Sequence, residues 1–505
     1  MKKLDFGTAG IRGILGSGEG HLNDAHIIRV TEGFAKYLLV NVKDVKNQGI
    51  VIGRDNRRMS KRFSEIAASI LTKYEIKVHY NQEIAATPFI SFTTRSLGAA
   101  GAINITASHN PKEYNGVKLY DKEGCQLLPS EISELLTHFK PYNDYENVQV
   151  TFEKNKYLHF ISNELMNSYL DEVKKIGGEV KNFSNIKIAY TPQHGTGAVP
   201  VKALFDDLNI QAFYEENEMK EDTEFTYSAT PNPESKESFD NVLVVAKNND
   251  CDIALVTDPD ADRVGLAVKH QESYKILSGN ETAILIFNYL LEELKGKDLN
   301  KYYLVYSFVS SSLPRKMAES NGLKSYMTET GFKWIGNLIN DLSQSHPEQK
   351  FLYAFEESYG SLIDENICRD KDAIQSIIVL AKMASHYKTL GMDLMEVLNK
   401  IYEKYGFVES GSIVLNIDSE NHLTNIKESF QKLNIQDSVF LDYNQGIRSI
   451  EPNDMLTYEF QDGSWISLRP SGTEPKIKIY LFFTNKDKEQ AIKNYDKYLE
   501  LLSNL

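Results

Sequence analysis

The stretch Thr106-Ala-Ser-His-Asn-Pro111 lies between two segments of opposite character. Before it, residues 98–105 are small and mostly apolar (Gly-Ala-Ala-Gly-Ala-Ile-Asn-Ile), which predicts a buried strand. After it, residues 112–116 are polar and end in Asn-Gly, which predicts a turn. We therefore expect Ser108 and His109 where a strand ends and a loop opens, a common place for catalytic groups in α/β sheets.

Length and composition predict a globular protein with several domains. A chain of 505 residues is too long for one core, and its length favours about three or four domains. Apolar residues make up 41% and charged residues 25%, which is ordinary for a globular protein. The net charge of -14 and the pI near 5.4 argue against nucleic-acid binding, which usually needs a basic surface.

Cysteine usage and hydropathy favour a cytoplasmic protein. Cys125, Cys251 and Cys368 are far apart and form no Cys-x-x-Cys pair, which argues against a disulfide framework or a zinc site. The first residues lack the apolar core of a signal peptide. No run of about 18 uncharged apolar residues occurs, so we expect no membrane span. The oligomeric state stays open.

Strand-like and helix-like patterns alternate along most of the chain. Residues 1–150, 160–275 and 276–395 contain apolar runs separated by amphipathic segments. This alternation predicts three similar α/β domains with parallel or mixed sheets. Residues 400–505 form a smaller unit with several strand-like segments. The sequence shows no strict internal repeat and no low-complexity segment.

Three aspartates, Asp258, Asp260 and Asp262, follow a predicted buried strand. In an extended loop they would point the same way and repel one another unless a cation lies among them. Hard oxygen ligands favour Mg²⁺ or Ca²⁺. An EF-hand is excluded because Arg263 and Lys269 occupy its glycine and glutamate positions, and a haloacid-dehalogenase-type phosphatase is disfavoured because Asp262 replaces its threonine. A solvated acidic loop is the alternative.

Two further stretches have the composition of anion-binding loops. Residues 7–13 place three glycines around Arg12, whose planar fork suits a phosphate, although a tight turn is the alternative. Arg469-Pro-Ser-Gly-Thr473 offers a guanidinium, two hydroxyls and a flexible backbone, and Lys478 adds charge. A hairpin corner is the alternative for this second loop.

The stretch Phe355-Glu-Glu-Ser-Tyr-Gly360 follows another apolar strand. A carboxylate beside a hydroxyl, as in Glu356 and Ser358, accepts and donates hydrogen bonds to neighbouring sugar hydroxyls. Paired glutamates also occur in glycoside hydrolases, but two adjacent residues, Glu356 and Glu357, would not straddle one glycosidic bond.

Together these five motifs, in the order in which they occur along nearly the whole chain, resemble the α-D-phosphohexomutase family. The resemblance implies an α/β architecture of four domains around a central cleft, with three similar α/β sandwich domains and a smaller α+β C-terminal domain. It assigns the phosphoserine loop, the metal loop, the sugar loop and the phosphate loop to the four units in turn. Because water could hydrolyse a phosphoserine, we also predict that the last domain moves as a lid.

The same resemblance implies a role for each motif. Ser108 carries a phosphoryl group, and Mg²⁺ is bound by Ser108, Asp258, Asp260 and Asp262. Arg12 and Arg263 stabilise the transferring charge, Lys118 is the first candidate for the general base, and His109 is the second. Because adjacent residues seldom face each other, we expect His109 to orient the phosphate or the sugar. The implied substrate contacts are Lys333, Glu356, Ser358, Arg469, Ser471, Gly472, Thr473 and Lys478.

The activity that the resemblance implies is exchange of glucose 1-phosphate and glucose 6-phosphate through glucose 1,6-bisphosphate, which is also the expected activator. Phosphomannomutase or phosphopentomutase activity is the alternative within the family. A metal-dependent sugar phosphatase is a further alternative. A binding scaffold without catalysis is disfavoured because the serine and all three aspartates are present.

Overall fold

Four sheets make up the part of the chain that the structure describes. The structure, a computed structural model, describes residues 4, 6–7, 10–178, 183, 185–445, 454–470 and 476–503. Within this part of the chain, no helix is both long enough and apolar enough to cross a membrane.

The first sheet mixes parallel and antiparallel strands. Its strands are β1 (Phe6–Gly7), β2 (Gly10–Ile14), β3 (Ile50–Arg54), β4 (Val78–Tyr80), β5 (Gly101–Ile105), β6 (Tyr114–Tyr120) and β7 (Leu158–Phe160), in the order β1-β2-β6-β5-β3-β4-β7. Strands β3, β4, β5 and β7 run parallel, whereas β1, β2 and β6 pair antiparallel. The accompanying helices are α1 (Asp24–Asn41), α2 (Val45–Gln48), α3 (Ser60–Lys73), α4 (Thr87–Ser96) and α5 (Pro129–Leu136).

The second sheet carries the acidic loop at the end of a central strand. Its strands are β8 (Lys187–Thr191), β9 (Gln211–Tyr214), β10 (Ile253–Thr257), β11 (Val264–His270) and β12 (Ser273–Leu277), in the order β12-β11-β10-β8-β9. All five residues of β10 are buried, as a strand between two neighbours requires. The helices are α6 (Asn163–Ile176), α7 (Ala198–Asp207) and α8 (Asp240–Asn249).

The third sheet has three parallel strands and one antiparallel edge strand. Its strands are β13 (Tyr302–Ser307), β14 (Lys324–Thr328), β15 (Lys350–Glu356) and β16 (Gly360–Leu362), in the order β14-β13-β15-β16. The helices are α9 (Gly279–Glu293), α10 (Leu313–Ser320), α11 (Phe332–Ser345), α12 (Ala373–Thr389) and α13 (Leu394–Tyr405).

The fourth sheet is antiparallel throughout. Its strands are β17 (Phe407–Asn416), β18 (Ser438–Asp442), β19 (Leu456–Phe460), β20 (Trp465–Pro470) and β21 (Lys476–Asn485), in the order β17-β21-β20-β19-β18. Helices α14 (Glu420–Gln431) and α15 (Lys488–Leu502) accompany it. This sheet has the α+β organisation expected for the last unit.

The apolar cores of the molecule do not correspond one to one with the four sheets. One apolar core joins residues of the first three sheets, including Val51, Leu255 and Tyr353. The fourth sheet has its own core, which includes Phe430 and Leu468. Because the first three sheets share buried side chains, the boundaries near residues 150, 275 and 395 stay a prediction.

Candidate active site

Loops from all four sheets meet at one cleft of about 470 Å³. Ten of the predicted site residues line it: Arg12, Ser108, His109, Lys118, Asp262, Arg263, Glu356, Ser358, Arg469 and Lys478. Asp258 and Asp260 are completely buried beside it. Ser471, Gly472 and Thr473 lie outside the described residues.

The serine loop begins where β5 ends, at the predicted position. Ser108 has a φ of 51°, in the left-handed region that non-glycine residues rarely adopt. Its N–H donates to Thr106 Oγ1 at 2.8 Å, and its own Oγ donates to Asp258 Oδ2 at 2.7 Å. The hydroxyl of Ser108 is therefore held against the acidic loop of the second sheet.

His109 also contacts the serine hydroxyl. Its Nδ1 lies 3.2 Å from Ser108 Oγ. The expectation that these neighbours do not face each other was wrong, because the left-handed backbone at Ser108 changes the direction of the chain. Burial, together with the positive charges of Arg263 and Arg12, lowers the pKa of His109 well below its usual value. This shift favours the neutral form of the imidazole.

The three aspartates converge through a turn. The extended loop that the sequence suggested is wrong, because Ala261 has a φ of 52° and its N–H donates to the Asp258 carbonyl at 2.9 Å. One carboxylate oxygen from each of Asp258, Asp260 and Asp262 lies within 4.8 Å of the others. Burial and the two neighbouring carboxylates raise the pKa of Asp258 well above its usual value.

The oxygen atoms of this loop fit a divalent cation. Asp260 Oδ1 and Asp262 Oδ1 are buried, and neither has a hydrogen-bond partner among the described residues. With the Asp258 carboxylate they form a set of hard oxygen donors of the kind that Mg²⁺ prefers. Unpartnered buried carboxylate oxygens are costly, and a bound cation would remove that cost.

Lys118 neutralises the outer oxygens of the same loop. Its Nζ donates to Asp260 Oδ2 at 2.7 Å and to Asp262 Oδ2 at 2.8 Å, and the side chain is buried. Burial alone would lower the pKa of Lys118, but these carboxylates outweigh it and raise that pKa above its usual value. In this arrangement Lys118 is an ammonium ion that stabilises the acidic loop.

Two arginines border the serine and the acidic loop. Arg12 Nη1 donates to Asn110 Oδ1 at 2.8 Å, two residues after Ser108. Arg263 Nη1 donates to the Ser358 carbonyl at 3.3 Å, and its Nε lies 3.7 Å from Asp262 Oδ1. Both guanidinium groups line the cleft, so two positive charges lie on the cleft side of the serine loop.

The sugar loop follows β15 as predicted. Glu356 Oε1 accepts a hydrogen bond from the Gly331 N–H at 2.7 Å, and burial raises the pKa of this carboxyl group. Tyr359 has a φ of 61°, which turns the chain back into β16. Glu356 and Ser358 therefore lie on the cleft wall that the third sheet contributes.

The fourth sheet places two cations on the opposite side of the cleft. Arg469 and Lys478 are directly opposite each other in the β20–β21 pair, so their side chains share one face of the sheet. Lys478 Nζ lies 3.9 Å from Glu234 Oε2, a carboxylate that follows β9 in the second sheet. This pair places two positive side chains on the cleft wall formed by the fourth sheet.

Comparisons with known proteins agree with this arrangement. Models of the phosphoglucomutase/phosphomannomutase family match the chain in sequence order: the alpha/beta/alpha domains I, II and III at residues 3–146, 167–271 and 278–405, and the C-terminal domain at 418–494. The chain belongs to the phosphoglucomutase/phosphomannomutase family. The predicted family and four-domain fold class are confirmed, and so is the enzyme class, an isomerase that transfers a phosphoryl group.

Individual relatives span the complete family fold. A phosphoglucomutase from Staphylococcus epidermidis is 33% identical over 503 residues, which cover 95% of this chain and 90% of that protein. The open form of Paramecium parafusin, a phosphoglucomutase, has a TM-score of 0.72 at 19% identity and covers 100% of this chain and 96% of its own. An Aspergillus fumigatus N-acetylphosphoglucosamine mutase, solved with GlcNAc-6P and magnesium, has a TM-score of 0.51 at 14% identity, covering 98% and 95%.

Lys333 occupies the first turn of α11 in this family member. It follows Gly331 and Phe332, which line the cleft. Burial, opposed by the charge of Glu329 and assisted by that of Arg469, lowers the pKa of Lys333 to about 8. Its predicted contact with the sugar stays a prediction.

Two buried cations of the site were missed by the sequence reasoning. Lys371 Nζ lies 3.2 Å from Asp262 Oδ2, and Lys371 lines the cleft. Arg57 is completely buried behind the serine loop. A signal existed in both cases, because Arg57 belongs to a charged run directly after the buried strand β3, and Lys371 lies between two aspartates before α12.

Proposed function

We propose that the chain interconverts glucose 1-phosphate and glucose 6-phosphate, with Ser108 as phosphoryl carrier and glucose 1,6-bisphosphate as intermediate. The observation that carries this proposal is the contact of Ser108 Oγ with Asp258 Oδ2 at 2.7 Å, in a cleft that also contains Arg469 and Lys478. A phosphatase needs only the serine and the acidic loop. A mutase must also bind a second phosphate.

A magnesium ion would be held by Asp258, Asp260, Asp262 and the phosphoryl group on Ser108. When bound, it supplies positive charge that offsets the charge of the transferring phosphoryl group. The presence of magnesium in the Aspergillus mutase supports this assignment.

Arg12 and Arg263 are the residues of the chain that would bind the transferring phosphoryl oxygens. Both lie on the cleft and bracket Ser108 from the first and second sheets. A guanidinium binds two oxygens at once, so the pair orients the phosphoryl group as well as neutralising it.

The proton of the attacking sugar hydroxyl needs an acceptor. The geometry favours His109, because its Nδ1 lies 3.2 Å from Ser108 Oγ and burial lowers its pKa, which favours the form that accepts a proton. Lys118, the first candidate from sequence, is protonated and bonded to Asp260 and Asp262. It would act by keeping the acidic loop together.

The opposite wall would hold the rest of the substrate. Glu356 and Ser358 would bind sugar hydroxyls, and Arg469 with Lys478 would bind the phosphate that is not transferred. A cleft of about 470 Å³ lies within the range of small-molecule sites. After the first transfer the bisphosphate would turn within the cleft, and the other phosphate would return to Ser108.

The choice of glucose over mannose or a pentose rests on the Glu356-Glu357-Ser358 loop and on the Staphylococcus relative, which is a phosphoglucomutase. The family also contains phosphomannomutases. Phosphomannomutase and phosphopentomutase activities are therefore included in the test.

The test is a coupled assay with glucose 1-phosphate, mannose 1-phosphate and ribose 1-phosphate, each primed with the matching bisphosphate. The proposal expects glucose 6-phosphate as the preferred product and intact-mass detection of phosphate on Ser108. Ser108→Ala is expected to lose activity by about 1,000-fold or more, as enzymes do without their nucleophile. Release of free phosphate in place of the isomer would indicate a phosphatase.

A further inference from the structure

A single guanidinium binds the main chain of the serine loop at four points. Arg57 Nη2 donates to the carbonyl oxygens of Ser108 and Asn110, both at 2.5 Å. Arg57 Nη1 donates to those of Pro111 at 2.8 Å and Tyr114 at 3.1 Å. The four carbonyls span the loop from the serine to the start of β6.

The environment of Arg57 keeps this guanidinium in place. Its Nε lies 3.2 Å from Asp55 Oδ2, and both side chains are completely buried. Ser60 Oγ donates to Asp55 Oδ1 at 2.6 Å, which fixes the carboxylate. The ring of Phe225 lies 5.3 Å from the guanidinium carbon. Such a stacked, hydrogen-bonded arginine has little freedom to move.

The serine loop needs an external support because its backbone is unusual. Ser108 has a φ of 51°, and conformations of this kind persist only where the surroundings hold them. Its carbonyl is bound by Arg57, while its Oγ is bound by Asp258. Arg57 thus binds one side of the residue and the acidic loop binds the other.

The cover over Arg57 comes from the part of the chain that follows β9. Besides the Phe225 ring, Asn56 Nδ2 donates to the Asp222 carbonyl at 3.1 Å, and Arg58 Nη2 lies 2.6 Å from Glu224 Oε1. The loop that carries Arg57 is therefore joined to the same sheet that supplies the three aspartates.

We propose that Arg57 is a positioning residue for phosphoryl transfer. Through the four carbonyl bonds it sets the place of Ser108 Oγ relative to the acidic loop and the incoming phosphate. This role rests on the proposed function. Arg57 does not bind the sugar, so it should affect the transfer step and leave binding of the sugar phosphate unchanged.

The test compares Arg57→Lys with Arg58→Lys in the full-length, magnesium-loaded protein. Lysine keeps the charge opposite Asp55, but its single ammonium cannot reproduce the four-carbonyl fork. Arg58 is the matched control, because its side chain is 55% exposed and its ion partner is the surface residue Glu224. The rate of Ser108 phosphorylation by glucose 1,6-bisphosphate is measured by quenched-flow and intact mass, and the Kd of glucose 1-phosphate by calorimetry.

Arg57→Lys is expected to slow phosphorylation by about 10- to 100-fold, the cost of misplacing a reacting atom by about 1 Å, with the Kd unchanged within about twofold. Arg58→Lys should match the unaltered protein. The proposal would be overturned if Arg57→Lys phosphorylated Ser108 at an unaltered rate. It would also be overturned if the Kd of glucose 1-phosphate rose by the same factor as the rate fell.

A folding defect and a failure of the proposed function can each be distinguished from loss of the positioning role. If Arg57→Lys does not fold, Phe225→Leu replaces it. This variant removes the ring that limits movement of the guanidinium, so the four hydrogen bonds should hold the serine loop less firmly and phosphorylation should slow. A rate equal to that of the unaltered protein in Phe225→Leu would then count against the role. If the unaltered protein is never phosphorylated on Ser108, the proposed function itself fails, and this role fails with it.

Discussion

Ser108, Lys118 and the three aspartates form a buried cluster beside the cleft. The Lys118 side chain is 1% exposed, and it is bonded to two carboxylates whose other oxygens have no hydrogen-bond partner among the described residues. A buried cation of this kind stabilises the fold chiefly because its removal leaves uncompensated negative charge. A divalent ion in the same loop would share that task.

Replacement of Lys118 should therefore show a magnesium-dependent loss of stability. We expect Lys118→Met to reduce the free energy of unfolding by about 3–5 kcal/mol without magnesium, and by clearly less with saturating magnesium. Urea unfolding with and without the ion measures both values. An equal loss under the two conditions would argue that the ion does not bind at these aspartates.

Lys333 predicts a pH dependence of substrate binding. Because burial lowers its pKa to about 8, Lys333 is charged below that pH and neutral above it. If it contacts the phosphosugar, the Kd of glucose 1-phosphate should rise by about tenfold well above that pH, the equivalent of one charged hydrogen bond. Calorimetry across the alkaline range measures this.

The matched control for this pH profile is Lys333→Arg, whose guanidinium stays protonated throughout. Its Kd should not vary over the same range. A rise of the same size in both proteins would assign the titration to another group.

Among the secondary-structure elements, helix α4 supports the acidic loop most directly. Its first residue, Thr87, donates from Oγ1 to Asp260 Oδ2 at 2.7 Å and from its N–H to the Asp260 carbonyl at 2.8 Å. Asn104 Nδ2 donates in turn to Thr87 Oγ1 at 2.9 Å. The start of a helix in the first sheet layer thus orients a carboxylate of the second.

Removal of the Thr87 hydroxyl should weaken metal binding. Partners that orient a metal ligand typically contribute about 10- to 100-fold in affinity, so we expect a loss of that size in Thr87→Val. Binding of Mn²⁺, followed by electron paramagnetic resonance, measures the affinity without any need for turnover.

Thr93→Val is the control for this experiment. Thr93 lies in the same helix and is equally buried, and its hydroxyl has no hydrogen-bond partner in the part of the chain that the structure describes. Equal affinities in the Thr87 and Thr93 variants would show that the contact with Asp260 does not orient the ligand.

Across all four sheets, the distribution of buried residues separates the last sheet from the others. One apolar core joins residues of the first three sheets, the first sheet has a further core of its own, and the fourth sheet has a separate core. The fourth sheet contacts the third through a small cluster in which Phe308 and Tyr443 stack at 5.8 Å, and Phe407 and Val408 of β17 pack against the core of the first three sheets. Small interfaces of this type permit domains to move and to unfold separately.

We therefore expect two unfolding transitions. The chain has two tryptophans, Trp334 in α11 and Trp465 in β20, which report on the third and fourth sheets respectively. Trp334→Phe leaves Trp465 as the only fluorescent tryptophan, and Trp465→Phe leaves Trp334. We expect the Trp465 signal to change at a lower urea concentration than the Trp334 signal. Coincident transitions would indicate that the fourth sheet unfolds with the rest.

Most elements of the site could be placed from sequence because each follows a recognisable strand. Ser108 follows β5, Asp258 follows β10 and Glu356 ends β15, as the apolar runs predicted. The direction of the side chains could not be predicted. Left-handed residues at Ser108 and Ala261 turn both loops, and neither is a glycine that would have indicated this.

The sequence by itself therefore determines the strands, the loops that follow them and the chemical character of each loop. Hydropathy patterns and turn residues act over only a few positions, so a short stretch is enough to recognise them. Contacts between distant residues depend on how the sheets pack. Ser108 Oγ and Asp258 Oδ2 are 150 positions apart, and Arg57 reaches carbonyls 51 to 57 positions away. Such pairs form because the sheets bury a shared core. Neither of the two short stretches predicts this packing by itself, so only the tertiary structure decides these contacts.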